Sequence, residues 1–247
     1  RECHEMGKEL IVESRCEQLT EEKLSWATSI NPSFTVAIGL EAYDDEVLRF
    51  HVNKGFSTKS WDKAVENLRK YNLRIKTYLM FKPPFMSEKD ALVHGVKWIK
   101  DVASRSDEIS VNPMNIQRGT IIDRLHRHNE YRPPWLWSLV EMIKQAHPHI
   151  HPKGGVNGSP DQVSRLIIHP TAGGKIRGAH NCGSCDKFVV AAIERYAVSG
   201  DLKEFDGLSC ACQSMWREEL ALEAALPLPL GISRPRRGNR IENLRSL

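Results

Sequence analysis

Four short apolar runs, each followed by a segment of helical periodicity, constrain the fold of this chain more than any other feature. We interpret the runs as strands that are apolar on both faces, which is typical of a parallel sheet covered by helices. The pattern predicts an α/β fold, either half of a (β/α)8 barrel or part of an open sheet. The predicted strands lie at 10–12, 36–40, 75–81 and 109–111.

Helix-start signals separate these runs. Thr20 precedes two acidic residues, and Ser87 and Thr120 each stand three positions before an aspartate, the spacing of a capping box. Pro134 suits the first turn of a further helix. Beyond it, the pattern predicts a fifth short strand at 166–168, a helix near 187–199, and a last helix rich in Glu, Leu and Ala.

Polar and charged residues follow the predicted strands. Glu13 and Arg15 follow the first, Glu41 the second, Lys82 the third, and the segment 112–118 the fourth. Because the chemistry of parallel α/β folds lies at the carboxyl ends of the strands, these residues are candidates for a binding site. A rim salt bridge is the alternative for Glu13 and Arg15. Glycine-rich dinucleotide and P-loop motifs are absent, so those two classes have no support.

Four cysteines form the strongest local motif. Cys182 and Cys185 are two residues apart, and Cys210 and Cys212 return after a predicted helix. Two such pairs can complete a tetrahedral S4 shell, so we predict a structural zinc site with no open position for catalysis. An iron–sulfur cluster is a second possibility, and two disulfides are the least favoured one. We interpret His180 as a neighbour of the site rather than a ligand.

Charge and composition exclude some partners. The net charge is +4, and residues 234–247 alone carry five arginines against one glutamate, so the rest of the chain sums to zero. A global basic field for nucleic acid is therefore absent, and steering must come from local patches or the tail. No apolar signal segment or run of ~18 apolar residues is present, so we expect a cytoplasmic protein without a membrane partner.

Three sequence blocks, in order, resemble the tRNA-modifying radical S-adenosylmethionine (SAM) enzymes of the elongator catalytic-subunit type. IVESRCE at 11–17 resembles their Glu-Thr-Arg-Pro-Asp strand end. VAIGLE at 36–41, followed by VNKGF, resembles their Ile-Gly-Val-Gln strand and Asn-Arg-Gly-His segment. Residues 112–120 with Tyr131 resemble a Tyr-Pro-Thr…Arg-Gly-Thr…Tyr block.

Within that group, the chain most resembles the archaeosine-synthesis radical SAM proteins (RaSEA), over residues 8–217. NCGSCD at 181–186, RPPWLWS at 132–138 and KPPF at 82–85 carry this resemblance. It implies a lyase that cleaves a lysine–deazaguanine adduct at position 15 of tRNA, leaving the amidine of archaeosine. It also implies three partners: tRNA, a lysine-transferring archaeosine synthase subunit, and an electron donor.

The resemblance implies strands three to six of a partial (β/α)6 barrel, with SAM and a [4Fe–4S] cluster as cofactors. The family's C-x-x-x-C-x-x-C motif is absent from the 247 residues, so we expect the cluster ligands outside this chain and this chain alone to be inactive. The expected division is a barrel part at 1–146, a cysteine-rich zinc unit at 147–219, with alternating His and Pro at its start, and a tail at 220–247.

The resemblance also implies site residues. Glu13 and Arg15 correspond to contacts with the SAM ribose and carboxylate, and Glu41, Gln117 and Arg118 complete the cofactor-binding set. The loop 115–118 corresponds to a position near adenine or the substrate base. We interpret Lys54 and Lys82 as surface lysines or phosphate contacts. Two alternatives stay open: another tRNA-modifying radical SAM reaction, and a non-catalytic, zinc-bearing tRNA-binding or scaffold protein.

Overall fold

The strands of the structure, a computed structural model that describes residues 6–150 and 164–225, form one parallel sheet. The sheet has five strands in the order β1-β2-β3-β4-β5, so each strand pairs with its neighbours along the chain. Predicted strands and helices therefore occur in the predicted order. The strands are β1 (Ile11–Ser14), β2 (Thr35–Glu41), β3 (Arg74–Phe81), β4 (Glu108–Pro113) and β5 (Arg165–Ile168).

Seven helices connect or follow the strands, and several begin where the sequence predicts. Thr20, Ser87 and Thr120 each accept a hydrogen bond from the backbone N–H three residues later, which caps the helix that follows. The helices are α1 (Glu21–Ile30), α2 (Thr58–Lys70), α3 (Glu88–Ala103), α4 (Ile121–Arg127), α5 (Leu136–Ile150), α6 (Asp186–Ser199) and α7 (Cys212–Ala225). Short turns lie at Cys16–Gln18, Asp45–Val47, Leu48–Val52 and Leu202–Phe205.

The sheet extends past the predicted boundary at residue 146. β5 pairs in parallel with β4, from Glu108 opposite Arg165 to Val111 opposite Ile168. The strand assigned to the cysteine-rich unit is thus the fifth strand of the main sheet. Residues 147–150, whose alternating His and Pro predict a loop, lie instead in α5, which continues to Ile150. The partial-barrel assignment and the domain division stay predictions, and the Arg-rich tail lies outside the described residues.

The two faces of the sheet differ in polarity along β3, where the prediction of strands apolar on both faces is wrong, whereas β2 is buried on both faces from Thr35 to Ile38. Along β3, Ile75 and Leu79 are buried, whereas Lys76 and Tyr78 are partly exposed on the other face. Alternation of this kind places one face against helices and leaves the other polar. The register aligns a transverse row of residues on the polar face: Glu13, Ala37, Lys76, Glu108 and Arg165.

One continuous core joins the sheet, the helices other than α4, and the cysteine-rich segment, whereas α4 packs in a smaller cluster with Ile116 and Tyr131. α3 packs against β3, α5 and α7, and α6 packs against β5. At its far end, α7 contributes Glu223, whose carboxylate accepts hydrogen bonds from the amides of Glu88 and Lys89 at the start of α3. Burial raises the pKa of Glu223. In the described part of the chain, every helix is too short or too polar to cross a bilayer.

Candidate cofactor cleft and metal centre

An open cleft of about 590 Å³ lies on the polar face of the sheet, where the strands end. It is bordered by β1 to β4 and by the segment after the turn Leu48–Val52. Of the residues named from the strand ends, Glu13, Arg15, Glu41 and Asn112 meet at this cleft, although their binding roles stay predictions. The polar side chains of the cleft belong to Glu13, Ser14, Arg15, Glu41, Lys54, Tyr78 and Asn112.

Glu41 and Lys54 form an ion pair in this cleft. Lys54 Nζ lies 2.8 Å from Glu41 Oε1, and both side chains are less than one-fifth exposed. Glu41 adopts the left-handed region, with φ of 70°, at an irregularity in the β2–β3 register. A non-glycine residue held in this region marks a place where the surrounding structure fixes the backbone.

Arg15 stands at the end of β1 with its guanidinium at the cleft. Its Nε and Nη2 both donate to Glu17 Oε1, at 3.1 and 2.7 Å, and Nη2 also donates to the carbonyl of Lys54 at 3.3 Å. The hydrogen bond and charge of Glu17 raise the pKa of Arg15. The guanidinium lies 5.6 Å from the centre of the Phe56 ring. Arg15 is thus held in place although its side chain is 55% exposed.

Tyr78 is a cleft residue that the sequence analysis missed, whereas Asn112 begins the segment 112–118 that was a candidate there. The Tyr78 hydroxyl donates to Glu13 Oε1 at 3.3 Å, which ties the middle of β3 to β1. Below Tyr78 on the same face, Lys76 pairs with Glu108 at 2.6 Å. The alternation of Lys76, Tyr78 and Met80 with apolar residues was the available signal, because a period of two predicts a polar face.

Gln117 and Arg118 lie on an exposed loop beside the cleft and do not border it. The loop is anchored from behind by Asp123, which is buried on α4. Its carboxylate accepts hydrogen bonds from Arg127, from Arg177 at 2.7 Å and from the Gly119 amide at 2.9 Å. These donors, Arg127 first, hold the pKa of Asp123 far below its usual range.

Lys82 is not the surface lysine that the sequence analysis expected. It is 5% exposed and lies 2.7 Å from Glu88 Oε2, whose side chain is fully buried. The other Glu88 oxygen accepts the amide of Trp135 at 2.9 Å, and Tyr131 donates its hydroxyl to the Lys82 carbonyl. Because burial of a charge requires a partner, this pair is part of the core rather than a ligand contact.

The four clustered cysteines converge in the structure. Cys182 Sγ lies 3.9 Å from Cys185 Sγ and 3.7 Å from Cys210 Sγ, and Cys185 Sγ lies 3.7 Å from Cys212 Sγ. Four sulfurs around one ion with metal–sulfur bonds of about 2.3 Å are about 3.8 Å apart, so the group fits a single tetrahedral ion. All four are unpaired thiols, which excludes the disulfide alternative.

Neighbouring groups orient these thiols. Asn181 donates its side-chain amide to Cys185 Sγ at 3.3 Å, and Trp137 donates its indole N–H to Cys212 Sγ at 3.2 Å. Backbone N–H groups of the turn lower the pKa of Cys182 to about 6. N–H donors of this kind stabilise thiolates and fix the ligands of a metal site. The nitrogen Nδ1 of His180 bonds instead to the Gly178 carbonyl, and His180 is not part of the group.

Comparison with curated proteins finds archaeal relatives. The chain is 34% identical over 219 residues to archaeosine synthase subunit beta of Methanosarcina acetivorans, covering 87% of this chain and 59% of the relative. It is 34% identical over 212 residues to the protein of that name from Thermococcus kodakarensis, covering 85% and 62%. The chain thus spans about three-fifths of the relatives' lengths. No protein-family model matches it.

One solved structure with the same fold is that of an archaeal protein. Elp3 of Methanocaldococcus infernus, in a form with an N-terminal deletion, superposes with a TM-score of 0.58. The match covers 82% of this chain and 43% of the Elp3 chain, at 20% sequence identity. This similarity establishes a shared α/β fold, in agreement with the resemblance found in the sequence.

Proposed function

Because this chain is similar over most of its length to two archaeosine synthase beta subunits, we propose that it is part of a tRNA-modifying radical SAM enzyme of that kind. The Elp3-like fold supports the proposal, since the sequence blocks that resemble the elongator group lie at the strand ends that border the cleft. The observation that carries it is the meeting of Glu13, Arg15 and Glu41 around one cleft.

The cleft suits S-adenosylmethionine in charge and size. Glu13 offers a carboxylate to the ribose hydroxyls, and Arg15 offers the N–H groups of Nη1 to the amino-acid carboxylate. Among the described residues, no acceptor is bonded to Arg15 Nη1, so its two N–H groups are free to donate to a ligand. The hydrogen bonds that Arg15 donates to Glu17 and to the Lys54 carbonyl fix the orientation of its guanidinium. Bound SAM, reduced at an iron–sulfur cluster, supplies the radical chemistry.

The cysteines of the described residues do not fit that cluster. The Cys182 group is the one metal-competent set found in residues 6–150 and 164–225, and its sulfurs are close enough for a single ion. A [4Fe–4S] cluster spreads its thiolates over several irons and needs wider spacing. We therefore assign a structural zinc ion to Cys182, Cys185, Cys210 and Cys212, and no step of the reaction to it.

The proposed reaction is lysis of an adduct of lysine and a deazaguanine base at position 15 of tRNA. The C–N bond that breaks joins a lysine carbon to the nitrogen that attaches lysine to the base, so this nitrogen stays on the base and the rest of the lysine is released. The product is the amidine of archaeosine. The names of the relatives support archaeosine as the product and a second synthase subunit as partner. The lysine adduct as substrate and lysine transfer by the partner subunit are part of the proposal and rest on the sequence resemblance. In this account Glu13 and Arg15 bind and orient the cofactor, while Lys54 and Glu41 hold the backbone of the cleft in shape.

The decisive experiment uses the complete gene product that contains this chain, purified anaerobically with its iron–sulfur cluster. It is incubated with SAM, dithionite and tRNA bearing the lysine adduct, and both 5′-deoxyadenosine and archaeosine are measured. We expect both products, formed together. Release of 5′-deoxyadenosine without archaeosine would leave the second candidate, another radical SAM modification of tRNA, whereas absence of both would overturn the proposal.

A further inference from the structure

Beside the cleft, the protein concentrates positive charge on two adjoining segments, 115–130 and 171–177. Together they carry five lysines and arginines against two acids, Asp123 and Glu130. Residues 1–233 together have no net charge, so these two segments carry more positive charge than the rest of the chain does on average. We call this surface the basic ledge and define it by Arg118, Arg124, Arg127, Lys175 and Arg177.

Hydrogen bonds join the two segments into one surface. The Ile116 amide donates to the Arg177 carbonyl at 2.8 Å, and Arg177 Nε donates to the Ile116 carbonyl at 3.1 Å. The buried carboxylate of Asp123 bonds both Arg127 and Arg177. One internal carboxylate thus organises the ledge without covering it, and Arg127 remains 65% exposed.

The outermost cations of the ledge face solvent. The side chains of Arg118 and Lys175 are exposed, and neither forms a salt bridge with any residue in the described ranges. Arg124 is exposed on the same helix as Arg127. The loop that carries Arg118 leaves β4 after Pro113, the neighbour of the cleft residue Asn112, so the ledge adjoins the cleft along the chain.

We infer that the basic ledge binds the sugar–phosphate backbone of the RNA substrate while the target base reaches the cleft. Exposed arginine and lysine side chains near an active site are the groups that hold phosphates and set the register of a nucleic acid. The inference rests on the proposed function for the identity of the RNA. It adds the surface that holds the tRNA, which is distinct from the residues that bind the cofactor.

The test compares two double variants of the complete gene product that contains this chain. Arg118→Ser with Lys175→Ser removes two charges from the ledge, and Lys97→Ser with Lys100→Ser removes two from α3, well away from it. Binding of an unmodified archaeal tRNA transcript is measured by fluorescence anisotropy at several salt concentrations. The tail is unchanged in both variants and contributes equally to each.

We expect the ledge variant to bind at least about 10-fold more weakly at 0.1 M salt, with the salt slope reduced by about two. The control variant should match wild type. Equal binding by the ledge variant and wild type would overturn this inference alone, and would leave an acidic protein surface as the partner to test. Absence of RNA binding by wild type would overturn the inference and count against the proposed function as well. Thermal melts confirm folding of each variant.

Discussion

The ion pair of Glu41 and Lys54 lies directly against Gly39. A Cβ atom added to Gly39 would stand 2.9 Å from Glu41 Oε1 and 3.1 Å from Lys54 Nζ. Because glycine has no Cβ atom, position 39 leaves room for the ion pair of Glu41 and Lys54 at the base of the cleft. Because both atoms that it would meet are the ends of flexible side chains, a methyl group there displaces the pair rather than the backbone.

Gly39→Ala should alter the cleft more than the fold. We expect the midpoint of urea unfolding to change little, because the displaced groups are side-chain ends near solvent. In the cluster-loaded complete protein, SAM affinity should fall several-fold, since the ion pair moves into ligand space. Gly119→Ala, at a position with no atom within 4 Å but φ of 78°, is the comparison for a backbone effect alone.

Arg15→Lys should weaken SAM binding although the charge is kept. Lysine is a point donor and cannot replace the planar fork that holds both Glu17 and a carboxylate. Loss of one charge-assisted contact corresponds to about 10- to 150-fold in affinity. The measurement is SAM affinity of the cluster-loaded complete protein. Wild-type affinity in a folded Arg15→Lys protein would assign Arg15 to the rim salt bridge alone.

Glu88→Gln should strongly destabilise the protein. The substitution leaves Lys82 charged and buried without a carboxylate, a change that typically costs about 3–5 kcal/mol. The double variant Lys82→Met with Glu88→Gln removes both charges and keeps an acceptor for the Trp135 amide, so it should recover much of that loss. The free energy of unfolding of wild type, of Glu88→Gln and of the double variant is measured by urea unfolding. Equal stability of both variants would contradict the buried-pair account.

Asp123→Asn should lower stability at neutral pH and less so in acid. Arg127, Gly119 and Arg177 depress the pKa of Asp123, so the carboxylate stabilises the folded state above its ordinary pKa of about 3.9 and loses this effect as the pH falls through the folded value. The difference in urea midpoint between wild type and variant should therefore narrow below about pH 4. Asp206→Asn, at an exposed site, should show no such narrowing.

Cys182→Ser should reduce bound zinc from about one ion per chain. Removal of one thiolate opens the tetrahedral shell, and the thermal midpoint should fall because α7 begins at another ligand, Cys212. Elemental analysis measures the metal, and Cys16→Ala, at the buried cysteine outside the group, is the control. Unchanged zinc in Cys182→Ser would remove the site. Iron in place of zinc would correct only the identity of the ion.

The sequence predicts the order of strands and helices well, because periodicity and caps are local signals. It also predicts that Glu13, Arg15 and Glu41 meet, since parallel strands end at one edge. It does not reveal that Lys54 pairs with Glu41, because Lys54 lies 13 residues after Glu41 and reaches the cleft from the segment that follows the turn Leu48–Val52. The burial of Lys82 was equally hidden, because its position after a strand is the same whether the side chain turns outward or into the core.

The contact between Glu223 and the start of α3 has a consequence for the order of folding. The carboxylate reaches the Lys89 amide across 134 residues of sequence, so this cap cannot form during synthesis until α7 has emerged. Contacts of such long range are slow to form, because the chain between them must first be ordered. The five-strand sheet can assemble earlier from neighbouring units. The amino end of α3 therefore gains this hydrogen-bond acceptor only after all four clustered cysteines have been translated.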